Sequence, residues 1–121
     1  MNNLFQEKHQ EFMNHIQHMM FTFEVTKSCG YSTFITVYKN QCLMDLFTNI
    51  IHHFEYLSIK ELYFFSPDNE RIVVPFSKQS VSDFVSSNVM CNPVKMVPIY
   101  NVPNNIVYRL YVNDGHNNEE H

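Results

Sequence analysis

Histidine side chains are one class of group in this chain that could bind a metal ion. The 121 residues include seven histidines. His15 and His18 are three residues apart, which places them on one side of a helix, whereas His52 and His53 are adjacent and point in different directions. Neither pair completes the three or four ligands that a zinc site needs. We therefore expect no metal site and predict that these histidines are solvated.

The nucleophiles and carboxylates also lack a catalytic pattern. Cys29, Cys42 and Cys91 are widely spaced and form no Cys-x-x-Cys pair, which indicates free thiols in a reducing compartment. No hydrolase, zinc-protease or nucleotide-binding motif occurs, and carboxylates such as Asp45 and Glu61 are isolated. We predict that the protein is not an enzyme, uses no cofactor and takes no small-molecule substrate.

The composition predicts one folded domain inside a cell. The chain is 45% hydrophobic and 17% charged, and 8 basic against 12 acidic residues give a net charge of −4, which argues against nucleic-acid binding. No apolar run is long enough for membrane insertion, and the first residues do not resemble a signal peptide. We expect a cytoplasmic or other intracellular location. Residues with GC-rich codons are scarce, which is typical of protozoa and large DNA viruses, so a virion is the other expected location.

The first 20 residues predict an amphipathic helix outside the domain. Polar residues lie mostly on the other side of this helix from one apolar stripe. The stripe is predicted to contact a partner and comprises Phe5, Phe12, Ile16, Met19 and Met20. Two interpretations remain open: the helix folds back over the domain's own sheet, or it joins a partner or a second copy.

The period of the pattern changes to two at Phe21, which predicts strands and turns. Residues 21–38 form a predicted hairpin with Gly30 in its turn, and Asn40 is the predicted N-cap of a helix over 41–55. The remaining predicted elements are strands over 62–65, 71–74 and 106–112, with one helical turn after Ser80. Aromatic side chains are predicted on the outer face of the sheet, namely Phe34, Tyr38, Tyr63 or Phe65, and Tyr111.

A segment rich in proline and asparagine interrupts this pattern at residues 87–104. Its prolines predict extended, irregular chain that cannot pair as a central strand. The segment either packs along the edge of the domain or lies on a neighbouring protein as an arm. Its candidate partner-binding residues are Pro93, Met96, Pro98 and Tyr100. Residues 115–121 are predicted to be a polar tail.

The order of these elements resembles a β-grasp, and in particular the ubiquitin-like domains. The hairpin leads directly into one amphipathic helix. Residues 71–74 lead, after a short link, into Ser80-Val81-Ser82-Asp83-Phe84, which is similar to the Thr-Leu-Ser-Asp-Tyr stretch of ubiquitin. An alternating strand, 107–112, closes the match, which covers about residues 21–114.

The resemblance implies an α+β fold, in which a mixed sheet of four to five strands packs on one helix, and a role in binding proteins. The chain lacks the Gly-Gly tail of the ubiquitin-like modifiers, so the resemblance does not extend to conjugation. The function expected is a non-catalytic protein–protein interaction module that binds through hydrophobic surfaces, alone or as a homo-oligomer. The alternative is a structural subunit of a large assembly, such as a minor capsid protein of a large DNA virus.

Overall fold

Within the part of the chain that the structure describes, a mixed six-stranded sheet packs with two helices, so the predicted α+β class is confirmed. The computed structural model describes residues 8, 19–55, 58–90, 96–102 and 105–115. The strands are β1 (Met20–Thr26), β2 (Ser32–Tyr38), β3 (Glu61–Phe65), β4 (Arg71–Val73), β5 (Pro98–Val102) and β6 (Asn105–Asn113). The helices are α1 (Leu43–His53) and α2 (Val81–Val85), the latter continued by a π-helical turn at Ser86–Met90.

The sheet has its first and last strands side by side at the centre. The order is β2-β1-β6-β3-β4, with β1 and β6 parallel and the other pairs antiparallel. β5 pairs with the first part of β6, on the side where β3 pairs with its last part. β6 therefore exchanges one neighbour for another part-way along its length.

One core fills the space between the sheet and the helices. Alternate residues of β1 and β2 point into it, because side chains of a strand alternate between its two faces. Helix α1 contributes Leu43, Leu46, Phe47 and Ile50, which have the spacing of one helical face. The largest fully buried side chains are Phe23, Phe64, Leu43, Leu46, Ile50, Leu62, Met96 and Leu110.

The N-cap of α1 is Cys42, so the predicted cap at Asn40 is wrong. The backbone N–H of Cys42 donates to Asp45 Oδ2 at 3.1 Å, and its Sγ lies 3.4 Å from the same oxygen. The Asp45 carboxylate thus supplies the half of a capping box in which the third helical residue accepts from the backbone N–H of the cap. The helix begins at Leu43, two residues later than predicted.

Ser80 caps α2 as the sequence predicts, since its Oγ accepts a hydrogen bond from the backbone N–H of Asp83 at 3.0 Å. Replacing this hydroxyl leaves an N–H of the first turn without its partner. We expect Ser80→Ala to lower the free energy of unfolding by about 1 kcal/mol. Urea denaturation of this variant beside Ser86→Ala, which removes an exposed serine hydroxyl after the helix, checks the prediction. Equal losses in the two variants would contradict it.

The predicted end of the N-terminal helix needs correction. Met20 is the first residue of β1 and Met19 lies in a turn, so the predicted helix over 1–20 does not include them. Its other stripe residues, Phe5, Phe12 and Ile16, lie outside the described residues, although Lys8 is described as helical and exposed.

Residues 98–102 form β5, so the prediction of irregular chain there is wrong. Pro98 is tolerated because it is the first residue of a strand that pairs only with β6. The prediction of four to five strands is one short for this reason. Met96 is 1% exposed and belongs to the core, so its side chain offers no surface to a partner. Pro93 lies outside the described residues.

Candidate protein-binding surface

The face of the sheet opposite the core is open and carries large apolar side chains. Outward positions alternate with buried ones along β2 and β3, so Phe34, Tyr38 and Phe65 point away from the core. Their side chains are 55%, 47% and 41% exposed, respectively. We call this surface the open face. Aromatic groups of this kind mark interaction sites when they are contiguous.

An aromatic patch of three rings, Tyr63, Phe65 and Tyr111, occupies the β3 side of the open face. Tyr63 and Tyr111 are directly opposite across the strand pair and stack with their centroids 5.6 Å apart. Phe65 meets the Tyr111 ring edge-on at 5.3 Å. The guanidinium of Arg71 lies 3.8 Å from the centroid of Tyr63 and pairs with Glu61.

A cavity of about 220 Å³ opens beside the aromatic patch, where β6 changes its neighbour from β5 to β3. Phe65 and Tyr111 contribute to its wall, so the patch and the cavity form one continuous surface. The other lining residues are Phe64, Ser66, Pro67, Asn69, Met96, Val97, Ile99 and Arg109. A cavity of this size accommodates one large side chain of a partner.

Arg109 stands between the patch and the centre of the open face as a fixed positive charge. Its Nε donates to Glu24 Oε1 at 3.0 Å across the parallel pair of strands. Hydrogen bonding to Glu24, and then to Tyr111, raises the pKa of Arg109 above its ordinary value. The guanidinium therefore stays charged. Its hydrogen bonds to Glu24 and Tyr111 hold it beside the Tyr111 ring.

A second apolar area, which we call the Phe34 patch, lies at the end of the open face where β1 begins. It comprises Met20, Phe34, Tyr38 and Tyr100. The rings of Phe34 and Tyr100 are 6.3 Å apart, although β1 and β6 lie between their strands. Val107, on the open face of β6, is only 3% exposed. This burial is consistent with the two rings closing over it.

The free edge of the sheet at β2 presents backbone groups toward solvent. Lys27 N donates to Tyr31 O and Lys39 N to Met19 O, both at 2.8 Å, at the two ends of the β1–β2 pair. In an antiparallel pair hydrogen-bonded residues alternate with the others, so the odd-numbered residues of β2 bond to β1. The even-numbered residues point outward, and the Tyr38 N–H accordingly bonds to Gln41 Oε1 at 2.9 Å.

Ser32, Phe34 and Thr36 are left with outward N–H and C=O groups that have no partner among the described residues. Beside this edge runs a shallow groove of about 410 Å³, lined by Phe34, Ile35, Thr36, Asn49, His52 and His53. An unprotected edge of this kind can accept a further strand from another chain.

The described histidine and cysteine side chains that were considered for metal binding or catalysis do not cluster. Within the described residues, no group of three or more His, Cys, Asp or Glu side chains is placed to hold a metal ion. His52 and His53 are exposed on α1, and His53 Nε2 is 2.8 Å from Thr33 Oγ1. Cys29 is exposed and Cys42 partly so, while His15, His18 and Cys91 lie outside the described residues. That the chain has no metal and no enzymatic activity stays a prediction.

No described helix is long and apolar enough to cross a membrane.

Of the nine predicted partner-binding residues, the structure brings Met20 and Tyr100 to the Phe34 patch, and Met19 is exposed in the turn before β1. Pro98 is partly buried at the start of β5. The aromatic side chains predicted on the outer face are Phe34, Tyr38, Tyr63 or Phe65, and Tyr111. The structure places Phe34, Tyr38 and Tyr111 there, together with both Tyr63 and Phe65. Sequence reasoning missed the cavity beside Arg109, because nothing in the sequence indicates that β5 ends where β3 takes its place.

Comparison with known proteins gives no family for the chain: no protein-family model matches it, and no curated protein matches its sequence.

Proposed function

We propose that this chain is a non-catalytic protein-binding module with a ubiquitin-like β-grasp fold. Two features support the fold. The parallel pair of first and last strands lies at the centre of the sheet, and the order β2-β1-β6-β3-β4 is that of the β-grasp once β5 is set aside. Ser80 caps a short helix within the segment that resembles ubiquitin. The family's role in binding proteins motivates the proposed function.

The observation that carries the proposed function is the aromatic patch with its adjoining cavity. Three rings in mutual contact, flanked by Arg71 and Arg109, have the composition that dominates the binding energy of protein interfaces. The rings already restrain one another, so little side-chain entropy is lost when a partner docks. The cavity beside Phe65 offers a place for one anchoring side chain.

The charged groups at the patch set the character of the partner's surface. Glu61 and Glu24 are each paired with an arginine, so the patch has little net charge. We therefore propose a partner that contributes an apolar or aromatic side chain to the cavity and hydrogen-bond acceptors to the arginines. Charge steering is not the main source of affinity in this arrangement.

We expect Phe65→Ser to weaken binding of the partner at least about thirtyfold while the domain stays folded. Truncation of a central interface ring costs 2 kcal/mol or more, which is about a thirtyfold loss in affinity. In the test, wild type, Phe65→Ser and Phe76→Ser are each used as bait to capture proteins from cells that encode the chain. The partner is then purified, and its affinity for each bait is measured by calorimetric titration. Phe76 is 62% exposed and contacts Phe47 of helix α1, away from the aromatic patch. Phe76→Ser is therefore the matched control. Equal affinities for wild type and Phe65→Ser would overturn the proposal.

The alternative function is a structural subunit of a large assembly, such as a minor capsid protein of a large DNA virus. The observation that favours it is the β2 edge, where Ser32, Phe34 and Thr36 present outward backbone groups. The solution mass of the purified chain separates the two functions. A mass of 14.4 kDa at all concentrations is expected of a binding module, and a larger, concentration-dependent mass of an assembly subunit.

A further inference from the structure

The aromatic patch offers a partner more hydrogen-bond donors than acceptors. The carboxylate of Glu61 is already paired with Arg71. The carboxylate of Glu24 is paired with Arg109 in the same way. A guanidinium has five N–H groups, so each arginine keeps donors beyond those that its glutamate takes up. Tyr111 accepts a hydrogen bond from Arg109, which leaves the phenol O–H to donate. A ligand that matches this surface therefore supplies acceptors.

The backbone beneath the rings provides no acceptor either. Tyr63 and Tyr111 are opposite each other in the β3–β6 pair, and their rings stack on the open face. The N–H and C=O groups of paired strands bond to each other within the plane of the sheet. A peptide that docks on these rings therefore finds no backbone carbonyl for its own N–H groups. This arrangement favours a peptide whose backbone has few N–H groups.

The spacing of the rings and the charges around them favour an uncharged ligand. The ring centroids of Tyr63, Phe65 and Tyr111 are 5.3–5.6 Å apart, which leaves no room for a cation between the rings. The guanidinium of Arg71 lies 3.8 Å from the centroid of Tyr63 and so takes the place that a cation of the ligand would need on that ring. An anionic ligand would have to compete with the two glutamates for the arginines.

A proline-rich segment in the polyproline II conformation has the properties that this surface requires. Its backbone makes no internal hydrogen bonds, so its carbonyls are available as acceptors, and its prolines have no N–H. Its side chains are apolar, and its conformation is largely formed before binding, which limits the entropy lost on docking. A helical ligand, by contrast, uses its carbonyls internally and leaves the arginine donors without partners.

We propose that the partner of the aromatic patch binds through a proline-rich segment in the polyproline II conformation. One proline of this segment enters the cavity of about 220 Å³ beside Phe65. The prolines next to it pack on the rings of Phe65 and Tyr111, and carbonyls of the segment accept from Arg109 and from the Tyr111 hydroxyl. This inference rests on the proposed function, since it names the chemistry of the same partner.

Decaproline with blocked ends is the probe, because chains of proline adopt this conformation in water. Its titration into the full chain, followed by nuclear magnetic resonance of the backbone amides, should shift the signals of β3 and β6. We expect Phe65→Ser to weaken this binding at least about tenfold. Phe34→Ser is the matched control, since Phe34 is 55% exposed on the same open face but lies in the Phe34 patch, and it should bind as wild type does. Decaproline that does not bind wild type, or that both substitutions weaken equally, would overturn the inference.

Tyr111→Phe separates the hydrogen bond from the packing, because it keeps the ring and removes the hydroxyl. We expect this variant to bind decaproline about fivefold more weakly, which corresponds to one net hydrogen bond. Tyr38→Phe removes a hydroxyl from the Phe34 patch, where Tyr38 is 47% exposed, and should leave the affinity unchanged. Equal affinities of wild type and Tyr111→Phe would mean that the ligand makes only apolar contacts there, which contradicts the proposed role of its carbonyls.

The captured partner keeps this inference and the proposed function apart. Decaproline should displace the partner from wild type, since both occupy the same site. If Phe65→Ser weakens binding of the partner but decaproline does not displace it, the inference is overturned and the proposed function stands. If Phe65→Ser binds the partner as tightly as wild type does, the proposed function is wrong, and the inference that rests on it is overturned as well.

Discussion

Phe64→Ala is expected to lower the free energy of unfolding by about 3–5 kcal/mol, which is a large part of the stability of a domain this size. Phe64 is 1% exposed, and its ring meets Phe84 of α2 edge-on at 6.0 Å. It therefore connects the sheet to the short helix. Truncation leaves a cavity that the surrounding strand and helix cannot fill, in addition to the lost burial. Urea denaturation followed by circular dichroism measures the loss.

The neighbouring residue provides the control. Phe65 has the same side chain in the same strand, but it points to the open face and is 41% exposed. We expect Phe65→Ala to cost less than about 1 kcal/mol. Similar losses at the two positions would mean that Phe65 is buried as deeply as Phe64 in solution, and the aromatic patch would then not be a free surface.

The alternation of buried and exposed residues along the strands can largely be predicted from the sequence. In a strand with one buried face, every second residue is apolar and points into the core. Ile35 and Val37 alternate with Phe34, Thr36 and Tyr38, and the structure buries the first two. Helix α1 is similarly predictable, since four apolar residues at helical spacing have no equally good alternative. Gly30 occupies its expected turn with φ of 97°, a conformation in which a Cβ would be strained.

The sequence does not predict β5, and the reason is local. Three prolines and several asparagines lie within residues 87–104, a composition typical of irregular chain. The strand forms because β6 has hydrogen-bonding groups beyond the end of β3, and an edge strand can begin with Pro98. Tertiary context therefore overrides local propensity here, and with β5 come both the cavity beside Arg109 and the position of Tyr100.

The N-cap of α1 is also predicted wrongly, again because contacts outside the local pattern decide it. Asn40 is the better cap by residue preference, yet Cys42 takes the position because Asp45 follows it by three residues and binds its backbone N–H. The helix start is also fixed from outside, since Leu43 N and Met44 N donate to the carbonyls of Gln79 and Ser77. Such long-range contacts are not visible in a local pattern.

Proline substitution at Thr33 is expected to be far more damaging than at Thr36. Both are threonines of β2, and both substitutions impose the same restriction on φ. Thr33 is odd-numbered and opposite Val25, so its N–H is directed to β1, whereas the N–H of Thr36 points outward. Thr33→Pro removes a ladder hydrogen bond and leaves a carbonyl without a donor. We expect losses of about 2–4 kcal/mol for Thr33→Pro and about 1 kcal/mol for Thr36→Pro, measured by urea denaturation. Thr33 also contacts His53, so Thr33→Val measures that contribution separately.

Thr36→Pro also decides what the β2 edge does, because it removes an outward N–H from a domain that stays folded. If copies of this chain add strands at that edge, the variant should be monomeric where wild type is larger than 14.4 kDa. Thr36→Val retains the N–H and should keep the wild-type mass. A monomeric wild type would leave the edge without a role in assembly, and the aromatic patch would then be the surface that accounts for the protein's function. A multimer that persists in Thr36→Pro would place the contact elsewhere and would overturn the assembly argument based on β2.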